Sequence, residues 1–276
     1  MSSPVSFYLP GTAGNLFAMY YPPAASVSDA TNVLYVHPFA GEMLTSRNVI
    51  AGVSRQLSGA GLGVLVVDLY GCGDSSGDFA GARWEVWLDD LRVAVQWLQE
   101  QGGERLSLWG LRLGALLAID FAVRTRGIYD KIVLWQPVLS GEQMLNQFLH
   151  MNLSSEDGTL LSRRMANRDQ RKNLLPGEAI EVAGYPLASE LMWAIDKLAL
   201  VPPGKLLSAP VHWTEFTTSK IPDAPSLKAI EDWKRKGARV TNDSVVCAPF
   251  WLFPYSVDAR DLAERVQKTF MGAENG

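Results

Sequence analysis

Gly110-Leu111-Arg112-Leu113-Gly114 is the stretch that decides how this chain folds. It follows a short apolar run, Arg105 to Trp109, and opens a strongly apolar helical stretch, Leu113 to Val123. A buried strand, a tight turn flanked by glycines and then a helix is half of a strand-helix-strand unit, the unit from which parallel sheets are built. At the centre of the turn stands an arginine. Its guanidinium stays protonated in proteins and cannot attack an electrophile.

Working outward from this turn, the same alternation recurs. Val33 to Val36, Gly63 to Val67, Arg105 to Trp109 and Lys131 to Trp135 read as buried strands. Between them, Val49 to Leu57 places Ile50, Val53 and Leu57 on one helical face. Trp84 to Leu98 places Trp84, Trp87, Leu88, Leu91, Val95 and Leu98 at helical spacing. Upstream, Val5 to Leu9 and Leu16 to Tyr21 predict an edge hairpin, followed by a loop from Pro22 to Thr31. The alternation returns with a strand at Val211 to Phe216, a helix from Leu227 to Lys236 stopped by Gly237, a strand at Ala238 to Val246 and a last helix from Val257 to Phe270. Continuous apolar strands separated by helices predict an α/β fold, an eight-stranded and mostly parallel sheet covered on both faces.

One stretch breaks the pattern. From Gln143 to about Leu200 the chain holds helical stretches, a polar middle and one strand-like run, Ala179 to Val182. That is too long for a connection inside a compact sheet. The expected organisation is a core from residues 1–139, an inserted helical cap over 140–205 and the rest of the core over 206–276.

With 276 residues, 47% of them hydrophobic, the chain suits one sizeable domain. Its net charge of −4 and the lack of a dense basic run argue against nucleic acid as a partner. The basic residues Arg163, Arg164, Arg168, Arg171 and Lys172 read as a solvated helix face. No signal peptide is apparent, and no apolar run approaches the roughly 20 residues of a membrane span. Cys72 and Cys247 form no framework and read as reduced thiols, so the expected setting is a bacterial-type cytosol. Nothing implies a cofactor, no His/Cys/Asp cluster has metal-ligand spacing, and Gly71-Cys72-Gly73 lacks the lysine of a phosphate loop. The oligomeric state is left open, a homodimer included.

Two further loops carry chemistry. His37-Pro38-Phe39-Ala40-Gly41-Glu42 follows the strand ending at Val36, and Asp68-Leu69-Tyr70-Gly71-Cys72-Gly73-Asp74-Ser75 follows the strand ending at Val67. With the turn at Arg112, these resemble three loops of the α/β-hydrolase superfamily: an H-G-x-x-type oxyanion loop, a D-x-x-G-x-G-x-S turn and the G-x-S-x-G nucleophile elbow. A closer resemblance is to bacterial exosortase-A-associated hydrolases of the second type. They carry a similar H-P-F-A start, a similar D-L-x-G-C-G-D-S-S-G-D turn and a similar W-G-L-R-L-G-A elbow with arginine. This chain departs from that pattern at Gly41, where a second acid is expected beside Glu42. That family is known from its neighbourhood with exopolysaccharide and surface-protein sorting genes.

The resemblance implies an oxyanion hole from the N–H of Phe39 or Ala40 and that of Leu113, with His37 bracing the loop. It also implies an acid after a late strand and a histidine after the last one. Glu215, Asp223 and Glu231 are available acids, but Cys247-Ala248-Pro249-Phe250-Trp251 contains no histidine, and the others are His150 and His212. Cys247, Cys72 and Ser75 read as packing or turn residues rather than nucleophiles.

Three readings follow. In the first, Arg112 at a helix N-terminus binds a small molecule with an anionic head, acyl or phosphate-bearing, while Met144, Phe148, Met151, Met192 and Trp193 line an apolar channel for its tail. In the second, Glu42, Asp74 or Glu215 acts as base or nucleophile with Arg112 as an electrophilic clamp. In the third, a permanent ion pair neutralises Arg112 in a non-catalytic scaffold. In each case Arg112 is expected at the base of a pocket, near one of those three acids.

Overall fold

The computed structural model describes residues 3–24, 31–102, 105–150, 174–200, 209–218, 223–253, 257 and 259–271. The eight expected strands form one sheet in the order β1 (Val5–Pro10), β2 (Asn15–Tyr21), β4 (Gly63–Val67), β3 (Thr31–Val36), β5 (Arg105–Leu111), β6 (Lys131–Trp135), β9 (Val211–Thr217) and β10 (Val240–Val246). The first two pair as an antiparallel hairpin, β2 runs antiparallel to β4, and every later pairing is parallel.

Helices cover both faces. On one side α1 (Gly41–Gly59) and α7 (Ala259–Phe270) bury Val49, Ile50, Val53, Leu57, Leu262, Val266 and Phe270. On the other, α2 (Trp84–Glu100), α3 (Leu113–Thr125) and α6 (Ala224–Arg235) bury Trp87, Leu91, Leu116, Ile230 and Trp233. The connection from β3 leads through α1 to β4 on one side, whereas β5 lies on the other side of β3. The strand order therefore reverses between β3 and β5, and open α/β sheets bind ligands beyond the carboxyl ends of strands at such a point. The loop after β3 and the turn at Arg112 meet there.

Between β6 and β9 the chain leaves the sheet. This insertion holds α4 (Gly141–His150), a hairpin of β7 (Ala179–Val182) and β8 (Tyr185–Ala188), and α5 (Ser189–Asp196). The expected helical cap is thus part hairpin. Its middle, with Met151 and the basic cluster from Arg163 to Lys172, lies outside the described residues. Edge-to-face rings fasten it to the core. Phe39 meets Phe148 of α4 at 4.9 Å and Phe79 at 5.4 Å, and Phe79 meets Tyr185 of β8 at 5.2 Å. Each such pair adds roughly 0.5–1.5 kcal/mol beyond its area burial. Among the described residues, no helix is long and apolar enough to cross a membrane.

The turn after β4 is built around Asp68, whose Oδ2 accepts from Arg47 at 2.7 Å and from the Asp74 N–H at 3.0 Å. Ser75 ties this turn to β2 by accepting the Phe17 N–H at 2.8 Å. Beneath it, the fully buried Asp90 of α2 accepts the Tyr70 N–H at 2.8 Å, while its Oδ1 has no hydrogen-bond partner among the described residues. Burial pushes the Asp90 carboxyl up to about 6; the Tyr70 N–H opposes the rise and Asp89 adds to it. A carboxyl raised on folding contributes stability that is complete below its unfolded value and lost as pH climbs through its folded one. Between about pH 4 and pH 6 that loss should be on the order of 3 kcal/mol. Urea melts at the two ends of this window should show the wild type losing more stability than Asp90→Asn. An equal loss in both proteins contradicts the assignment.

Candidate functional site

The two turns that meet at the sheet's carboxyl edge share an unusual backbone. Ala40, before α1, has φ 49° and ψ −127°, and Arg112, before α3, has φ 55° and ψ −119°. Non-glycine residues rarely occupy this region, and such strain concentrates at functional sites. Helix α1 starts at Gly41 rather than Val49, so Glu42 is not a loop residue. It sits in the first helical turn, where the helix dipole favours a carboxylate.

These turns floor a cleft of about 760 Å³ beneath the insertion. Phe39, Glu42, Thr45 and Arg112 come from the core, Met144, Gln147, Phe148 and Tyr185 from the insertion, and Trp251, Leu252 and Phe253 from the segment after β10. The Arg112 guanidinium is held from three sides. Its Nε donates to Glu42 Oε1 at 3.3 Å and its Nη2 to Gln147 Oε1 at 2.9 Å, with Met144 Sδ at 3.9 Å. Its Cζ lies 5.7 Å from the Trp251 ring centroid, within cation–π range. Both charged side chains are almost buried, Arg112 at 12% and Glu42 at 11% exposure.

The ion pair is incomplete. It uses Nε alone, at a distance longer than the roughly 2.7–2.9 Å of a strong charge-assisted bond, and it is not a two-point fork. Glu42 Oε2 has no hydrogen-bond partner among the described residues. Burial pushes the Glu42 carboxyl above its ordinary range, and the Arg112 charge only partly opposes this. Glu42 therefore gives up its proton reluctantly, and Arg112 keeps donor capacity for a second acceptor.

The other residues singled out in the sequence are placed differently. Asp74 does not reach Arg112; it is mostly exposed and pairs with Arg47 at 3.4 Å. Glu215 is buried in β9, where its Oε1 accepts the Trp213 indole N–H at 3.0 Å, and it does not line the cleft. Period-two alternation in the strand turns Glu215 to the same face as Trp213, into the core. Phe39 lines the cleft, but His37, Ala40 and Leu113 side chains do not. Leu113 is the first residue of α3, so its N–H has no intrahelical acceptor.

His37 is buried. Its Nε2 accepts the Leu69 N–H at 3.2 Å and its Nδ1 lies 2.7 Å from the Pro38 carbonyl, an arrangement that fits a neutral ring protonated at Nδ1. Burial lowers its affinity for a second proton. His37 thus links the β3 loop to the β4 turn. His212, instead of meeting Glu215, lies between Thr241 at 2.9 Å and Asp243 at 3.3 Å. The side chain of His150 lies outside the described residues. Burial raises both thiols, that of Cys72 most, with Asp68 and Asp90 adding to it. Of the residues expected to form an apolar channel, Met144 and Phe148 line the cleft, whereas Met192 is buried in the core and Trp193 packs against it.

Sequence reasoning missed Gln147 and Trp251. Gln147 follows Met144 by three positions on α4, a spacing that places the two on one face. Trp251 belongs to an aromatic run, Phe250-Trp251-Leu252-Phe253, in the segment after β10 that holds no histidine.

Residues 33–175 match the family described as serine aminopeptidase, S33. No curated protein sequence matches the chain. Among solved structures, it is similar to Est1E from Butyrivibrio proteoclasticus with ferulic acid bound, at TM-score 0.69 and 16% identity, covering 96% of this chain and 98% of that one. It is also similar to a proline iminopeptidase from Mycobacterium smegmatis, at TM-score 0.61 and 13% identity over 97% and 98% of the two chains. A third similar structure is an alpha-beta serine hydrolase homologue from Coxiella burnetii, at TM-score 0.59 and 12% identity over 98% of each chain. At these identities the structural likenesses speak for the fold alone. The family match spans more than half the sequence and includes the β3 loop, the β4 turn and the turn at Arg112, and by it this chain belongs to the S33 serine aminopeptidase family of α/β-hydrolases.

Proposed function

We propose that this protein binds, and does not hydrolyse, an organic anion with an apolar body. Arg112 takes the anionic head and the aromatic cleft takes the rest. The observation that carries this reading is the guanidinium on the cleft floor, at the position where the fold's elbow carries its nucleophile. The segment after β10, where the fold carries its catalytic histidine, contributes Trp251, which faces the same guanidinium. One departure removes the nucleophile and the other its base, and the two new side chains contact each other.

The loose Glu42 contact favours binding over a closed scaffold, because a guanidinium with spare donors above a cleft of about 760 Å³ has room for an anion. Ferulic acid, bound to Est1E in a structure of similar fold, is a carboxylic acid with an apolar body, the class of ligand proposed for the Arg112 cleft. The resemblance of the three loops extends the proposal to a role beside exosortase and exopolysaccharide systems. A second reading rests on Glu42 itself. A buried carboxylate with a raised proton affinity and one unengaged oxygen can serve as a general base, with Arg112 as clamp.

Incubation with a fluorophosphonate, followed by intact-mass measurement and a p-nitrophenyl ester assay, separates these readings. Binding alone predicts no adduct and ester hydrolysis no better than the roughly 10³–10⁴ over water left when a triad is lost. A stoichiometric serine adduct overturns the proposal. Turnover that disappears in Glu42→Gln supports the second reading.

A further inference from the structure

A second cavity, of about 250 Å³, lies between α1 and the strands β2, β3 and β4, separate from the Arg112 cleft. The sheet supplies Phe17, Met19, Tyr21 and Tyr35 as its floor. Met43, Arg47, Ala51 and Arg55 of α1 form its roof at successive intervals of four, so all four share one helical face. The small side chain of Ala51 leaves the space between the two arginines open.

Charge is unevenly placed here, because both nearby carboxylates lie on Arg47 and Asp68 itself lines the cavity. Arg47 is bound by Asp68 at 2.7 Å and Asp74 at 3.4 Å, but Arg55 makes no ion pair among the described residues. Both guanidiniums act on the Tyr21 phenol, opposing the rise in its proton affinity that burial causes. At the inner wall, the buried Tyr35 hydroxyl lies beside Ser46, whose own hydroxyl donates to the carbonyls of Glu42 and Met43. His37, also on the wall, has both ring nitrogens engaged. The cavity thus pairs a largely apolar floor with a guanidinium at its rim, that of Arg55, which has no ion-pair partner among the described residues.

We propose that this cavity is a second ligand site for a compact monoanion with a ring-sized apolar body, its charge on Arg55 and its ring against Met19, Tyr21 and Ala51. The site does not depend on what Arg112 binds.

Methyl-labelled methionine reports the two sites separately, because Met19 and Met43 line this cavity and Met144 lines the cleft. The probe is phenylacetate, with phenylacetamide as its uncharged analogue. Phenylacetate should shift the Met19 and Met43 methyl resonances saturably, and phenylacetamide should bind at least about tenfold more weakly, the factor lost with one charge-assisted contact. Arg55→Gln, a surface change that leaves the core intact, should weaken phenylacetate by a similar factor. Ala51→Phe should remove the shifts by filling the space, and Arg112→Gln should leave them unchanged. The proposal is overturned if Met19 and Met43 do not respond, if Met144 alone responds, or if Arg55→Gln binds phenylacetate as tightly as the wild type.

Discussion

Arg112→Ser is expected to destabilise the fold by about 3 kcal/mol and to restore no ester hydrolysis. Removing one partner of a buried pair typically costs 3–5 kcal/mol, because the remaining charge is left desolvated. Here the lower end applies, since Glu42 already holds its proton above the ordinary carboxyl range and can take one up when Arg112 is gone. The Gln147 and Trp251 contacts are lost as well. Among the described residues, no histidine is placed to act as base for a serine at this turn. His37 has both nitrogens engaged, His212 sits between Thr241 and Asp243, and Trp251 fills the cleft side of the segment after β10. Thermal melts should show a drop on the order of 10 °C. An equally stable variant that hydrolyses esters efficiently would refute both the ion-pair and the missing-base arguments.

Gly114→Ala should have the larger effect on stability, about 4 kcal/mol or more, and should leave little folded protein. A Cβ at Gly114 would press on the Val36 and His37 carbonyl oxygens and come within 2.8 Å of the His37 carbonyl carbon. All three are backbone atoms, so no side chain can move aside, and costs of this size belong to overpacking at a rigid contact. This contact is the one by which the first turn of α3 sits against the end of β3, so the same glycine also sets the distance between Arg112 and Glu42. A soluble, cooperatively melting Gly114→Ala protein would show that the two turns are not locked together.

The sheet was legible because buried parallel strands are continuous apolar runs and the helices between them carry clear apolar faces. The start of α1 was not. Ser46 stands at a core-facing position there and interrupts the apolar face between Met43 and Val49, although the helix begins at Gly41. The earlier start moved Glu42 from an expected loop into a helical first turn pointing at Arg112. Of the three acids considered, nothing in the sequence could rank Glu42 above Asp74 and Glu215. The choice depends on Arg47 claiming Asp74 and on the strand pleat turning Glu215 towards Trp213. Trp251 was not legible because nothing in the run Phe250-Trp251-Leu252-Phe253 separates a cleft-lining aromatic from its buried neighbour Phe250.

The central claim is that Arg112 receives an anion in competition with Glu42, and calorimetric titration of decanoate into the wild type, Glu42→Gln and Arg112→Gln tests it most directly. An anion on Arg112 displaces the Glu42 charge, so Glu42 takes up a proton as decanoate binds. Decanoate should bind the wild type more tightly as pH falls through the raised Glu42 pKa, provided decanoate itself stays ionised. Glu42→Gln removes the competitor, so it should bind decanoate at least about tenfold more tightly than the wild type at neutral pH and lose that pH dependence. Arg112→Gln should bind decanoate no better than decanol. Binding that weakens in Glu42→Gln, or is unchanged in Arg112→Gln, would contradict the claim.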